Sequence, residues 1–373
     1  MTKKALIFYI SKYSGHFHAA NAIEKGLKEV YGDILTEKVN AFSYTNPILE
    51  KVINRAYMHV IKKKPQMWGH LYDNPDVLKK TKKAVDILHR FNMSKIKQLI
   101  DKRAPNVVLC TQAFPCGMVA DYKRSCAKKG LKLIGILTDH APHSYWLFDE
   151  VDLYVVPSEE TAEALAKKGV SSGKIKVCGL PVDPRFRFPC EKGRVREELG
   201  FSEGRPTVLI MGGTQGLGAM EEVVRSLMND PRHDYQVMVV TGSNKKLYAR
   251  LKRLAKKSGS GGIRVLSYVD NINELMEVAD IIVTKAGGMT VAESMVKKLP
   301  MLIVNPIPGH ERMNADYLVK KGAAIEIGKY EQIHHRINEL FDSGDKLNDM
   351  KKNAERLSRP ESALVIARLA FGG

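Results

Sequence analysis

Residues Lys285 to Glu293 read KAGGMTVAE, and the apolar run ADIIVT, Ala279 to Thr284, stands directly before them. That run reads as a buried strand, and TVAESMVKK after it has helical spacing, so two glycines fall at a strand-to-helix turn. An α/β protein holds phosphate at such a turn. Gly287 and Gly288 allow positive φ and let a ligand approach bare backbone, while free N–H groups of the next helix point at the ligand. A second reading needs no ligand: Thr290 and Glu293 have the S/T-x-x-E spacing of a capping box, which stabilises a helix start unaided.

Outward from that stretch, the second half of the chain repeats the same grammar. RPTVLIM is followed by Gly212-Gly213-Thr214-Gln215-Gly216 and a helical run; YQVMVV and IRVLSYV are further strands, and NINELMEVAD is a short helix. The glycine loop is not GxGxxG, and no acidic residue follows at dinucleotide spacing, which argues against NAD. LPMLIVN is a strand whose end delivers His310, Glu311 and Asn314 to the same rim. Three strand ends thus aim polar or glycine-rich loops at one crevice, favouring a ligand for Lys285 to Glu293.

The first half opens with the strand KALIFYI, Lys4 to Ile10, the loop SKYSGHFH and a helix to about Val30, a Rossmann-like start. His16 lies where ligands bind in an open parallel sheet. NVVLCTQ, LKLIGILTDH and DLYVVPS are the next strands, and Gly169 stops the helix EETAEALAKKG. The loop DHAPHSYW carries Asp139, His143 and Trp146. Asp and His could serve as acid or base and Trp could stack on a sugar or lie against lipid; a capping Asp with surface neighbours is the plain alternative. Pro181, Pro184 and Pro189 with a charge-rich run mark a linker. The expected division is 1–182, a linker 183–200, a second domain 201–355, and a C-terminal amphipathic helix 356–373.

At 373 residues the chain fits two domains. Its five cysteines, odd in number and without a CxxC pair, suggest free thiols rather than disulfides or structural zinc. No apolar run approaches the ~18 residues of a membrane span, and the start does not read as a signal peptide, so a cytoplasmic chain is expected. The net charge of +18 calls for a polyanion: nucleic acid, an anionic membrane or a phosphorylated substrate. Between Lys51 and Arg103 stand 14 Lys/Arg against 4 Asp/Glu, a net of +10 interleaved with Tyr57, Trp68, Tyr72 and Phe91. Interfacial membrane helices have this composition, as does a solvated lysine-rich face.

Seven motifs in order, SGHFHAA, TDHAPHSYW, PSEETAEALAKKG, IKVCGLPVDPRF, MGGTQGLG, TKAGGMTVAES and PGHERMNADYL, span Lys4 to Ala324 with their flanks. With them the chain resembles a GT-B glycosyltransferase of the monogalactosyldiacylglycerol synthase and processive diacylglycerol glucosyltransferase family, a relative of the peptidoglycan N-acetylglucosaminyltransferase. The resemblance implies an α/β fold of two Rossmann-like domains with parallel sheets facing a central cleft. It implies inverting transfer of glucose or galactose, possibly processive, from a UDP-sugar to diacylglycerol at the cytosolic membrane face. The partners are then UDP-sugar, diacylglycerol and an anionic surface met by residues 51–103, with no nucleic acid, no cofactor and no metal.

By that resemblance His16 faces the reaction centre with Asp139 as the other candidate base, and His143 and Trp146 sit on the acceptor side. Gly213, Thr214 and Gln215 lie near the uridine and diphosphate, Val269 where uracil is read, and Gly288, Met289 and Thr290 at the diphosphate. Glu293 takes the ribose hydroxyls, His310, Glu311 and Asn314 contact the sugar, and Lys285 counts with this donor group. His16 is the preferred base because its unperturbed pKa lies near neutrality. The rival readings are N-acetylglucosamine transfer to a polyprenyl-linked acceptor, UDP-sugar epimerisation, and non-catalytic anion binding.

Overall fold

The computed structural model describes residues 2–12, 14–63, 66, 92–126, 130–232, 234–257 and 262–372. They form two compact units: Met1–Pro184 with Ile307–His310 and Pro360–Gly373, and Arg185–Pro306 with Glu311–Arg359.

The sheet of the first unit comprises β1 (Lys4–Tyr9), β2 (Leu35–Asn40), β3 (Val107–Cys110), β4 (Lys132–Ile136), β5 (Leu153–Val156) and β6 (Ile175–Val177). All pairs are parallel, in the order β2-β1-β3-β4-β5-β6. Central strands have both faces covered, which is why they read as unbroken apolar runs. On β1, Leu6 and Phe8 enter one core cluster while Ala5, Ile7 and Tyr9 enter another, as the two-residue period of a strand requires.

The second sheet comprises β7 (Thr207–Met211), β8 (Gln236–Val240), β9 (Ile263–Leu266), β10 (Ile281–Thr284), β11 (Met301–Val304) and β12 (Ala324–Ile327). Its order is β12-β11-β10-β7-β8-β9, again all parallel. Sequence pattern alone misses β2, β6 and β12. Each is an edge strand, paired on one side only, so it lacks the continuous apolar run of a central strand.

The last helix, Ser362–Ala370, packs on the helix Gly15–Tyr31 and belongs to the first unit. A Cβ on Gly26 would stand 2.5 Å from the Ala363 carbonyl oxygen, so glycine sets how closely the two helices approach. Ser362 Oγ accepts from the Val182 N–H at 3.0 Å, and Lys132 Nζ donates to the Leu369 carbonyl at 2.6 Å. The stretch expected as a linker, 183–200, contains the helix Lys192–Leu199, and the units divide between Pro184 and Arg185.

Candidate functional site

In the second sheet the chain lays down β7, β8 and β9 in one direction and then crosses to place β10 on the other side of β7. The strand order therefore reverses between β7 and β10, and the crevice beyond their carboxyl ends is where open α/β sheets bind ligands. Thr284 Oγ1 donates to the Met211 carbonyl at 2.8 Å and ties the two ends together.

The loop after β7 is built on glycine. Gly213, Gly216 and Gly218 have φ of 69°, 54° and 97°. A Cβ on Gly216 would lie 2.2 Å from the Thr241 carbonyl oxygen, and one on Gly242 the same distance from that of Thr214. The loop after β8 can therefore press against it: the Ser243 N–H donates to the Thr214 carbonyl at 2.8 Å and Asn244 Nδ2 to that of Gly216 at 3.3 Å. Thr214 and Gln215 are half-buried at its crest.

After β10, Gly287 is the N-cap of the helix Gly288–Val296, extended at φ −69°, ψ 133°, and offers no side chain to cap it. The first intrahelical bond of this end runs from the Val291 N–H to the Gly287 carbonyl at 3.1 Å. The N–H groups of Gly288, Met289 and Thr290 precede it, so the helix itself leaves them available as donors. A Cβ at Gly287 would meet nothing within 4 Å. These facts correct two expectations. Neither Gly287 nor Gly288 uses positive φ, and the capping box does not form, because the helix begins two residues before Thr290. Glu293 is half-buried one turn into the helix.

Lys285 Nζ meets Glu311 Oε1 at 2.7 Å in a buried ion pair, and Asn314 Nδ2 donates to the Ala286 carbonyl at 2.9 Å. The helix His310–Lys320 is thereby fixed to the loop after β10. Lys285, Glu311 and Asn314 are brought together, while His310 falls in the segment Ile307–His310 that packs with the first unit. Val269, half-buried, follows β9, beside the exposed Tyr268.

In the first sheet the order reverses between β1 and β3. Ser11, at φ 54°, turns the chain after β1, and Ser14 caps the helix Gly15–Tyr31, accepting from the Phe17 N–H. His16 is the second residue of that helix and is half-buried. Thr111, just past β3, has its Oγ1 3.2 Å from the Phe8 carbonyl oxygen and 3.0 Å from that of His16. Thr138, just past β4, has its Oγ1 3.0 Å from His16 Nδ1, and Asp139 follows. Packed protein lowers the His16 pKa from its usual value; the Asp139 carboxylate and the Thr111 backbone pull it back up, and His310 lowers it. The imidazole is thus neutral near pH 7, the form that can accept a proton.

The acceptor-side expectations fare differently. His143 caps the 3-10 turn Ser144–Trp146: its Nδ1 accepts from the Tyr145 N–H at 3.1 Å, and its ring stacks on Tyr145 with centroids 4.7 Å apart. Trp146 is a core residue, 6% exposed and packed near Gly135 and Tyr154, so its ring is not offered to a sugar or lipid. Thr111, Thr138, Gly242 and Asn244 were not singled out from sequence; all four lie at or just beyond the carboxyl ends of strands, the one signal that could have found them.

Residues 16–182 match the family model for monogalactosyldiacylglycerol synthase, and residues 207–366 the model for the glycosyltransferase family 28 C-terminal domain. A processive diacylglycerol beta-glucosyltransferase of Bacillus licheniformis is 28% identical over 367 residues, covering 98% of this chain and 94% of that protein. One from Bacillus subtilis is also 28% identical, over 365 residues, with coverages of 98% and 94%. Among solved structures, S. aureus MnaA with UDP superposes at a TM-score of 0.65 with 14% identity, covering 99% of this chain and 96% of that one. MurG of Acinetobacter baumannii does so at 0.62 with 13% identity, covering 98% and 99%. At such identities these structures speak for the fold. The chain is a glycosyltransferase of GT-B-like fold, whose first half is similar to monogalactosyldiacylglycerol synthase and whose second half is similar to the glycosyltransferase family 28 C-terminal domain.

Proposed function

We propose that this enzyme transfers a hexose, glucose or galactose, from a UDP-sugar to the hydroxyl of diacylglycerol, with inversion at the anomeric carbon. The observation that carries the donor half is the bare N-terminus of the helix Gly288–Val296, with three N–H donors and open space where a Gly287 side chain would stand. The relatives named as diacylglycerol glucosyltransferases over nearly the full chain support the acceptor half.

In the reaction the acceptor oxygen forms a bond to the sugar C1 as the bond from C1 to the diphosphate oxygen breaks. Charge grows on the diphosphate, and the Gly288, Met289 and Thr290 N–H groups are the fixed donors that stabilise it. A helix-end field contributes about 0.3–1 kcal/mol when exposed and up to ~2 kcal/mol when partly buried, so it works together with the individual hydrogen bonds. Glu293 takes the ribose hydroxyls. The acceptor hydroxyl gives its proton to His16, neutral at the working pH, and Asp139 steadies the imidazolium that forms.

The membrane is met through the basic segment 51–103. The helix Pro47–Lys63, which leads into this segment, exposes Ile48 (76%), just before it, and Val52 (59%), within it, four residues apart, with Lys51 and Arg55 also exposed. An apolar pair beside cations suits an anionic interface. Trp68, Tyr72 and Phe91, and the Tyr57 side chain, lie outside the described residues. Among the described residues no helix is long and apolar enough to cross a membrane, which fits attachment from one face.

UDP-glucose, UDP-galactose and UDP-N-acetylglucosamine, offered in turn with vesicles of diacylglycerol and anionic lipid, test the proposal. Mass spectrometry of the lipids should show hexosyl-diacylglycerol from one of the first two, and binding to the vesicles should weaken as salt rises. Glycosylation of a polyprenyl phosphate instead, or epimerised UDP-sugar without a lipid product, refutes it.

A further inference from the structure

Thr111 and Thr138 follow the adjacent strands β3 and β4, and both hydroxyls reach His16. Thr111, fully buried, holds the backbone: its Oγ1 sits between the carbonyl oxygens of Phe8, on β1, and His16, on the helix that follows. Thr138, 6% exposed, holds the ring, with Oγ1 3.0 Å from Nδ1. A hydroxyl can donate to a bare Nδ1 or accept from an Nδ1–H, and the two arrangements leave opposite tautomers. Only the second leaves a lone pair on Nε2. It also survives protonation unchanged, since an imidazolium carries N–H on both nitrogens and Thr138 goes on accepting. A donating Thr138 would have to reverse its bond whenever the ring took up a proton.

We infer that Thr138 is a positioning residue for His16, accepting a hydrogen bond from Nδ1–H and so directing the lone pair of Nε2 at the acceptor hydroxyl. This rests on the reading of His16 as the base. During transfer the acceptor proton moves to Nε2, the acceptor oxygen bonds to C1, and UDP leaves. Thr138 gains and loses nothing. Besides burial, two titratable groups and one backbone hydrogen bond bear on His16: Asp139 and the Thr111 backbone favour its protonated form, and His310 disfavours it.

Thr138→Val keeps the shape and deletes the hydroxyl; Thr138→Ser keeps the hydroxyl. The full chain labelled with 15N-histidine, its His16 signals assigned with His16→Gln, reports the tautomer by long-range proton–nitrogen NMR. The wild type should show Nδ1–H, and Thr138→Val should lose that preference. Its kcat for lipid glycosylation should fall roughly ten- to hundredfold, part of what a placed base contributes. KM for the UDP-sugar should change less than about twofold, because donor binding does not use this contact, and Thr138→Ser should recover most of the rate. An Nε2–H tautomer in the wild type overturns the inference, as does a Thr138→Val enzyme with wild-type tautomer and kcat. The wild-type spectrum decides even where the valine variant fails to fold. If the wild type glycosylates no lipid but shows Nδ1–H held by Thr138, the proposed reaction fails and the ring-positioning contact stands.

Discussion

Lys285 Nζ and Glu311 Oε1 form an ion pair at 2.7 Å, with side chains only 11% and 5% exposed, and it locks the helix His310–Lys320 to the loop after β10. Removing one partner strands the other charge in a poorly hydrated place. Glu311→Ala should therefore cost about 3–5 kcal/mol, read as an earlier unfolding midpoint in denaturant. A variant as stable as the wild type would mean that Lys285 finds another partner or water.

Two glycines at this crevice should answer to alanine in opposite ways. Gly216 has φ 54° and its added Cβ would stand 2.2 Å from the Thr241 carbonyl oxygen, so Gly216→Ala should destabilise the second unit by more than ~1 kcal/mol. Gly287 is in an ordinary extended conformation with open space where a Cβ would be, so Gly287→Ala should melt like wild type. It should nevertheless weaken UDP binding in calorimetry, because the methyl enters the space before the helix N-terminus. Unchanged UDP affinity would remove the ligand from that place.

Glu293→Ala and His16→Ala separate donor binding from proton transfer. Since the helix begins at Gly288, Glu293 makes no capping box, so the role assigned to its carboxylate is read in donor binding rather than in the helix start. UDP affinity should drop roughly tenfold or more, the scale of hydrogen bonds to a charged group. His16→Ala should abolish turnover and keep UDP affinity nearly intact. Loss of UDP binding in the second variant, or retention in the first, contradicts the assigned roles.

His140 supplies a pH test of the fold. Burial pushes its pKa down from 6.5 to about 4, against a small upward pull from Glu160. Between those values the unfolded chain binds a proton that the folded chain refuses, so stability falls as pH falls through this window. The full effect is on the order of 3 kcal/mol. Denaturant midpoints at pH 7 and pH 4.5 should show a larger loss in wild type than in His140→Gln; parallel losses would mean that another group governs the acid limb.

Much of this was legible in the sequence because central parallel strands announce themselves: ADIIVT, TVLIM and NVVLC are buried on both faces and uninterrupted. The glycines of MGGTQGLG were legible for a related reason: at Gly212 and Gly216 tight packing admits no side chain, and Gly213 and Gly218 take positive φ. Sequence spacing was silent on contacts closed by topology. Lys285 and Glu311 are far apart in the chain, and Thr138 meets His16 only because β4 lies next but one to β1. Local spacing also misled where tertiary structure overruled it. The Thr290–Glu293 box was pre-empted by an earlier helix start, and Trp146, offered as a ring that could stack on a sugar or lie against lipid, is drawn into the core beside Tyr154.

The stretch Lys285 to Glu293 was ambiguous between a capped turn and an anion cradle, and the helix start at Gly288 favours the cradle. The central claim is that the sugar held there passes to diacylglycerol with inversion. It is tested most directly by proton NMR of the glycolipid made by the purified enzyme from the α-linked UDP-sugar it accepts and diacylglycerol. A β-linked hexose on the glycerol hydroxyl, with UDP released in equal amount, is the predicted result; an α-linked product, or UDP release with free sugar and no glycolipid, would contradict it.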